Sequence, residues 1–103
     1  MTELKRLKVG RRCYRVVRQH MPKDYGSVNF NRGIIRIDDP QPPGVVVDTV
    51  LHELLHAIWA DFKLPDRPTE ERAVTALAQG LMAVFRDNPG LATYIERLIG
   101  KER

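Results

Sequence analysis

An α+β fold is predicted by three features of the sequence. Short β-branched segments bounded by turn residues mark the first third, a proline-rich break follows at residues 38–44, and two long stretches of helical spacing come after it. With 103 residues the chain has room for one domain and one modest core, spanning 1–103.

The strands come first, within residues 1–38. CYRVVRQ (13–19) and GIIRID (33–38) are short, rich in Val and Ile, and bounded by Gly, Pro or Asp. Between them Val28 and Phe30 alternate like a brief middle strand, and Asn31 to Gly33 can close a hairpin. Leu7 to Val9 adds a further short strand. The expected sheet is therefore small, with three or four antiparallel or mixed strands.

The segment DDPQPPG (38–44) holds three prolines and a glycine, which neither a helix nor a central strand can pass through. From 45 to 62 the apolar positions Val46, Val47, Val50, Leu51, Leu54, Leu55, Ile58, Trp59 and Phe62 recur at threes and fours, predicting a helix. LPDRPT (64–69) breaks the chain again. Val74, Leu77, Ala78, Leu81, Met82 and Phe85 then mark a second amphipathic helix over 69–87. Asn88-Pro89-Gly90 stops it. A short third helix over 90–100 carries Leu91, Ile95, Leu98 and Ile99, which are expected to pack back on the rest.

Composition narrows the class. Apolar residues make up 43% and charged residues 29%, and no apolar run approaches the roughly 20 residues needed to span a bilayer, so no membrane partner is expected. The opening MTELKRLKVGRR lacks the apolar core of a secretory signal, which predicts a cytoplasmic protein. Cys13 stands alone, so it forms neither an internal disulfide nor a cysteine zinc site. Charge is uneven: residues 1–36 hold ten Lys or Arg against two acids, and residues 37–103 hold seven against eleven. A basic half can attract nucleic acid, yet these cations are not interleaved with an aromatic platform, and a solvated strand surface is the favoured expectation.

The chemistry concentrates in LHELLHAIW (51–59). His52 and His56, four apart on a helix, stack on one face and offer two imidazoles to one metal ion, while Glu53 lies about 100° round the helix, placed to face water at that metal. Zinc can acidify such water and polarise a carbonyl, and Glu53 can act as general base. A chance match to His-Glu-x-x-His in so short a chain is expected on the order of a few times in a thousand sequences.

Two histidines leave a catalytic zinc site incomplete, since three protein ligands are usual. His20 is a weak candidate, and the pattern with a third His six residues after the second fails because position 62 is Phe. Glu70 and Glu71 open the next helix, which can fold antiparallel onto the first. Both fall within about 60° of the centre of its apolar face, so periodicity does not choose between them. Either can also serve simply as an acid at a helix N-terminus. Asp48, four before His52, can orient an imidazole by hydrogen bonding or act as a first-turn acid. Trp59 is expected in the core or a pocket wall, and Asp61 in solvent. No donor for a developing oxyanion stands out: Tyr25, Tyr94 and Arg97 are candidates only as polar residues outside the main stripes, and a structural role is the favoured expectation for each.

The block DTVLHELLHAIWADFKLPDRPTEERAVTALAQGLMAVFRDNPGL, residues 48–91, resembles the small zinc peptidase-like proteins of the gluzincin type, especially those carried by phages and prophages in bacteria. In that group an HELLHAI-like helix is followed by an acidic residue, a V-x-x-L-A-like helix and a DNP stop; here these are His52 to Ile58, Glu71, Val74 to Ala78, and Asp87 to Pro89. The resemblance implies a minimal zincin-like fold with a small sheet packed on the active-site helix. It also implies one zinc ion held by His52, His56 and a downstream Glu, and it favours Glu71, three before the valine, over Glu70 as alternate. A location in the bacterial host cytoplasm follows from the same likeness.

The expected function is therefore zinc-dependent hydrolysis of a peptide or protein substrate laid along an edge strand, with GIIRID as the expected edge. A full-size peptidase has a second lobe to form its cleft, so a protein partner that completes the cleft is a further expectation. The alternatives are a non-catalytic module that keeps zinc as a structural staple and nucleic-acid binding through the basic half.

Overall fold

Alternation of apolar and polar residues decides the first third of the fold. The computed structural model describes residues 4–65 and 67–103; Met1 to Glu3, the start of the basic opening stretch, and Asp66, within the second break, lie outside the described residues. Four strands, β1 (Arg6–Val9), β2 (Arg12–Gln19), β3 (Gly26–Asn29) and β4 (Ile34–Asp38), precede three helices, α1 (Pro43–Asp61), α2 (Thr69–Asp87) and α3 (Leu91–Glu102). The α+β class and the order of elements are as expected. None of the described helices is long and apolar enough to cross a membrane.

The sheet is mixed, in the order β1-β2-β4-β3. Strands β1 and β2 pair antiparallel, β2 and β4 run parallel, and β3 and β4 form an antiparallel hairpin. Gly33 at φ +64° lies in the turn, and Asn29 Oδ1 accepts the Arg32 N–H at 3.0 Å. The expectation that GIIRID is the edge is corrected: β4 lies between β2 and β3, and the edges are β1 and β3. Ile34, Ile35 and Ile37 are all buried, with Arg36 interrupting the apolar run, in a strand paired on both sides. The shorter and more polar GSVN suits an edge.

One sheet face makes the core. Leu7, Val9, Tyr14, Val16, Val28, Ile35 and Ile37 pack against Val46, Val50, Leu54, Ala57 and Ile58 of α1. The registers Arg6↔Arg15, Lys8↔Cys13 and Val17↔Arg36 place Arg6, Lys8, Arg15 and Arg36 on the opposite face by the two-residue period. Much of the basic half is thus the outer surface of the sheet.

Helix α1 begins inside the proline-rich break, with Pro43 in its first turn where a missing N–H costs nothing. Its fully covered positions, Thr49, Glu53 and Ala57, are four apart and form one line along the helix. Lys63, in the left-handed region at φ 56°, ends the helix, and Leu64 N–H returns to Trp59 O at 3.0 Å. Trp59 Nε1 also donates to Pro65 O at 3.0 Å, which folds the short connection back towards α1.

Helix α2 buries Val74 and Ala78 completely. Leu77 and Leu81, expected on its buried face, are exposed, because among the described residues α2 packs chiefly on α1 and one helix covers only a narrow stripe. The expected packing of α3 is likewise corrected. It has no buried residue, and Ile95, Leu98 and Ile99 remain about two-fifths exposed, since α3 leaves the end of α2 without returning to the sheet.

Gly26 sets the distance between β3 and α1. A Cβ there would stand 2.6 Å from the Thr49 methyl, 2.9 Å from Arg36 O and 3.4 Å from Glu53 Cγ. Only glycine lets the edge strand lie this close to the line that carries Glu53. Gly26→Ala is expected to destabilise the domain by about 1–3 kcal/mol through overpacking, measured by denaturant unfolding against wild type.

Candidate metal centre

The centre is assembled from two helices. The 3.6-residue repeat of α1 brings His52 and His56 into an edge-on contact with ring centroids 4.9 Å apart. The short connection then returns the first turn of α2 to the same place. His52 Nε2 lies 2.7 Å from Glu71 Oε1, and His56 Nε2 lies 2.8 Å from Glu71 Oε2. His52, His56 and Glu71 thus converge, each offering one ligand atom within 4.8 Å of the others.

The spacing suits a small divalent ion. The two Nε2 atoms are 3.3 Å apart, and two zinc–nitrogen bonds of about 2.0–2.1 Å at a tetrahedral angle span roughly 3.3–3.4 Å. Two imidazoles and one carboxylate form a mixed N/O set that accepts zinc and leaves a fourth position open.

Glu70, equally placed by periodicity, occupies a different position. Its Oε2 lies 2.6 Å from His56 Nδ1, the ring nitrogen facing away from the convergence point, and the two side chains are only 15% and 13% exposed. Glu71 is 65% exposed. Asp48 forms no hydrogen bond with either imidazole among the described residues, and its Oδ1 is buried without a partner. His20 is remote from the cluster and faces Asp38 at 4.0 Å.

Beside these groups is a cleft of about 480 Å³, lined by residues that include Lys23, Asp24, Tyr25, Gly26, Asp48 and Glu53. Glu53 is 7% exposed. Burial lifts its pKa above the ordinary 4.5; His52 and His56 oppose the rise, while Glu71 and Asp24 add to it. For His56, burial alone would lower the pKa from 6.5, but the hydrogen-bonding carboxylates of Glu70 and Glu71, with the charges of Glu71 and Glu53, outweigh it and the net shift is upward.

The cleft's far wall was not legible as such in the sequence. The segment from Met21 to Tyr25 is pinned by β4: Met21 N–H donates to Asp38 Oδ1 at 2.8 Å, and Asp38 N–H donates to Tyr25 O at 2.8 Å. Gln41 Nε2 donates to Tyr25 O and Asp38 O at 2.8 and 2.9 Å, and its Oε1 accepts from the Thr49 hydroxyl at 3.0 Å. One glutamine in the proline-rich break thereby joins the wall to α1. Of the three candidate oxyanion donors, Tyr25 lines the cleft. Tyr94 and Arg97 stack on each other on α3 and are not among its lining residues.

No protein-family model matches the sequence, and comparison with curated proteins and with solved structures finds no match. Functional reading therefore rests on the residues and their geometry.

Both upward pKa shifts act on stability in the same direction. A group that binds its proton more tightly in the folded state stabilises the fold below its unfolded pKa and loses that contribution as pH rises through its folded pKa. For Glu53 the loss falls above 4.5 and for His56 above 6.5. Metal-stripped protein is accordingly expected to lose unfolding free energy as pH rises through these windows, measured in chelator. Zinc affinity should rise over the same range, because ligands must shed protons to bind.

Proposed function

We propose that this chain is a zinc-dependent peptidase domain, with His52, His56 and Glu71 as metal ligands and Glu53 as general base. The observation that carries the reading is the convergence of the two Nε2 atoms and the Glu71 carboxylate from separate helices, beside a buried glutamate on the wall of a cleft. A bound zinc ion supplies Lewis acidity, acidifying water and polarising the carbonyl under attack. Glu53 takes one proton from the attacking water as its oxygen bonds to the carbonyl carbon. The same carboxyl then delivers that proton to the amine nitrogen as the C–N bond breaks. The raised pKa of Glu53 suits a group that must both accept and release a proton.

Substrate geometry follows from the corrected sheet order. An extended peptide adds to the free edge of β3, beginning at Gly26 on the cleft wall. Tyr25, next to that edge, is the side chain on this wall best suited to donate to the developing oxyanion. The zinc-staple alternative fits the donor set less well, because structural sites usually close with four protein ligands and three groups converge among the described residues.

Elemental analysis of protein purified without added metal should give about one zinc per chain, reduced to background in His56→Ala. Absence of metal in wild type, together with no uptake from a zinc solution, would remove the proposal. Glu53→Gln should keep its zinc and lower peptide turnover by at least about 100-fold, the lower end of what a general base contributes. Undiminished turnover in that variant, on any peptide substrate found, would refute the assigned role.

A further inference from the structure

Neighbouring acids of α2 meet the same imidazole from opposite sides. Glu71 approaches His56 Nε2 at 2.8 Å and Glu70 approaches Nδ1 at 2.6 Å. Consecutive residues of a helix are about 100° apart, so one turn can straddle a ring presented edge-on to it. Glu71 serves as a ligand in the proposed centre, and Glu70 has no role in it as a ligand.

Two ordinary roles fit Glu70 poorly. An acid that merely complements a helix N-terminus works from the exposed surface and needs no partner, whereas Glu70 is 15% exposed and bonded to a side chain that is 13% exposed. A third metal ligand would have to reach the convergence point, yet Glu70 stands on the nitrogen directed away from it. An imidazole that binds metal through one nitrogen commonly donates its other N–H to a carboxylate, which fixes its tautomer and ring orientation.

We propose that Glu70 is a positioning residue: it accepts the Nδ1–H of His56, holds the ring with the Nε2 lone pair aimed at His52 and Glu71, and so strengthens the grip of the centre on a divalent metal. This inference rests on reading the cluster as a metal site and is independent of whether peptides are cleaved. Without Glu70 the His56 ring can flip about χ2 and carry its proton on either nitrogen, so part of the population presents the wrong atom. The orienting part expected of Asp48 falls instead to a residue on the other helix. Glu70 and Glu71 then divide one task, the first holding a ligand in place and the second serving as one.

The test is zinc affinity by competition with a chromophoric chelator, with the absorption of cobalt-loaded protein reporting the ligand set. Glu70→Gln should bind one metal per chain about 10–100-fold more weakly than wild type, with a cobalt spectrum of unchanged coordination number. Glu70→Asp keeps a negative charge at the helix start but falls one methylene short of Nδ1, and it should weaken binding similarly. This second variant keeps the test decisive if Glu70→Gln folds poorly. Glu71→Gln should lose more affinity and alter the spectrum.

Affinity unchanged in both position-70 variants, with only thermal stability lowered, would overturn the inference and leave Glu70 a helix-end acid. A cobalt spectrum altered in Glu70→Gln as it is in Glu71→Gln would also overturn it and make Glu70 a ligand. A wild type that takes up neither zinc nor cobalt would remove the metal reading and this inference together. Because affinity is measured and not turnover, failure of the peptidase reading would register separately.

Discussion

The first turn of α2 meets α1 at a pair of imidazoles. His56 faces Glu70 with one nitrogen and Glu71 with the other, and Glu71 also reaches His52. Hydrogen bonds to charged groups contribute about 1.5–3 kcal/mol each. The fully buried apolar contribution of α2 comes from Val74 and Ala78, and burying one side chain of valine size is worth about 1.5–3 kcal/mol. The polar contacts therefore supplement the apolar packing that accompanies them, with those of the 65% exposed Glu71 weakened by solvent screening. In a domain whose net stability is about 5–15 kcal/mol, the seating of this helix depends on both.

That dependence explains why the site was more legible in the sequence than the surroundings. The spacing of His52, Glu53 and His56 is local, and helix geometry alone brings the two rings to one face. Choosing between Glu70 and Glu71 required the rotation of α2 about its axis, which apolar periodicity leaves open to within the 100° that separates neighbours. The contacts with the two ring nitrogens set the two acids apart. The strands β2 and β4 were readable from their β-branched runs, but the sheet order was not. A parallel β2–β4 pair with β3 carried to the outside is a long-range choice, and GIIRID reads equally well as an edge or a central strand until its neighbours are known.

Misreadings of α2 and α3 share one cause. Helical periodicity reports an apolar stripe and says nothing about what covers it. Leu77, Leu81, Ile95, Leu98 and Ile99 have the right spacing and remain exposed, because among the described residues α2 packs chiefly on α1 and α3 does not pack extensively on the core. Gln41 is the opposite case. A polar residue among prolines gives no periodic signal, yet its amide joins the Met21–Tyr25 segment, the end of β4 and α1.

Glu53 and its two companions on the buried line of α1 show how site and fold compete. Thr49 satisfies its hydroxyl within the helix and with Gln41, and Ala57 has nothing to satisfy. Glu53, four residues from each, forms no hydrogen bond among the described residues, and burial makes its charged form costly. For stability alone an apolar residue would serve better at that position, packed against the close approach of Gly26. A carboxylate held where the fold gains nothing from it, next to two imidazoles and a cleft, is consistent with the proposed role of Glu53. The raised proton affinity that makes it a poor core residue is the property a general base uses, so the local cost to the fold and the proposed activity have the same origin.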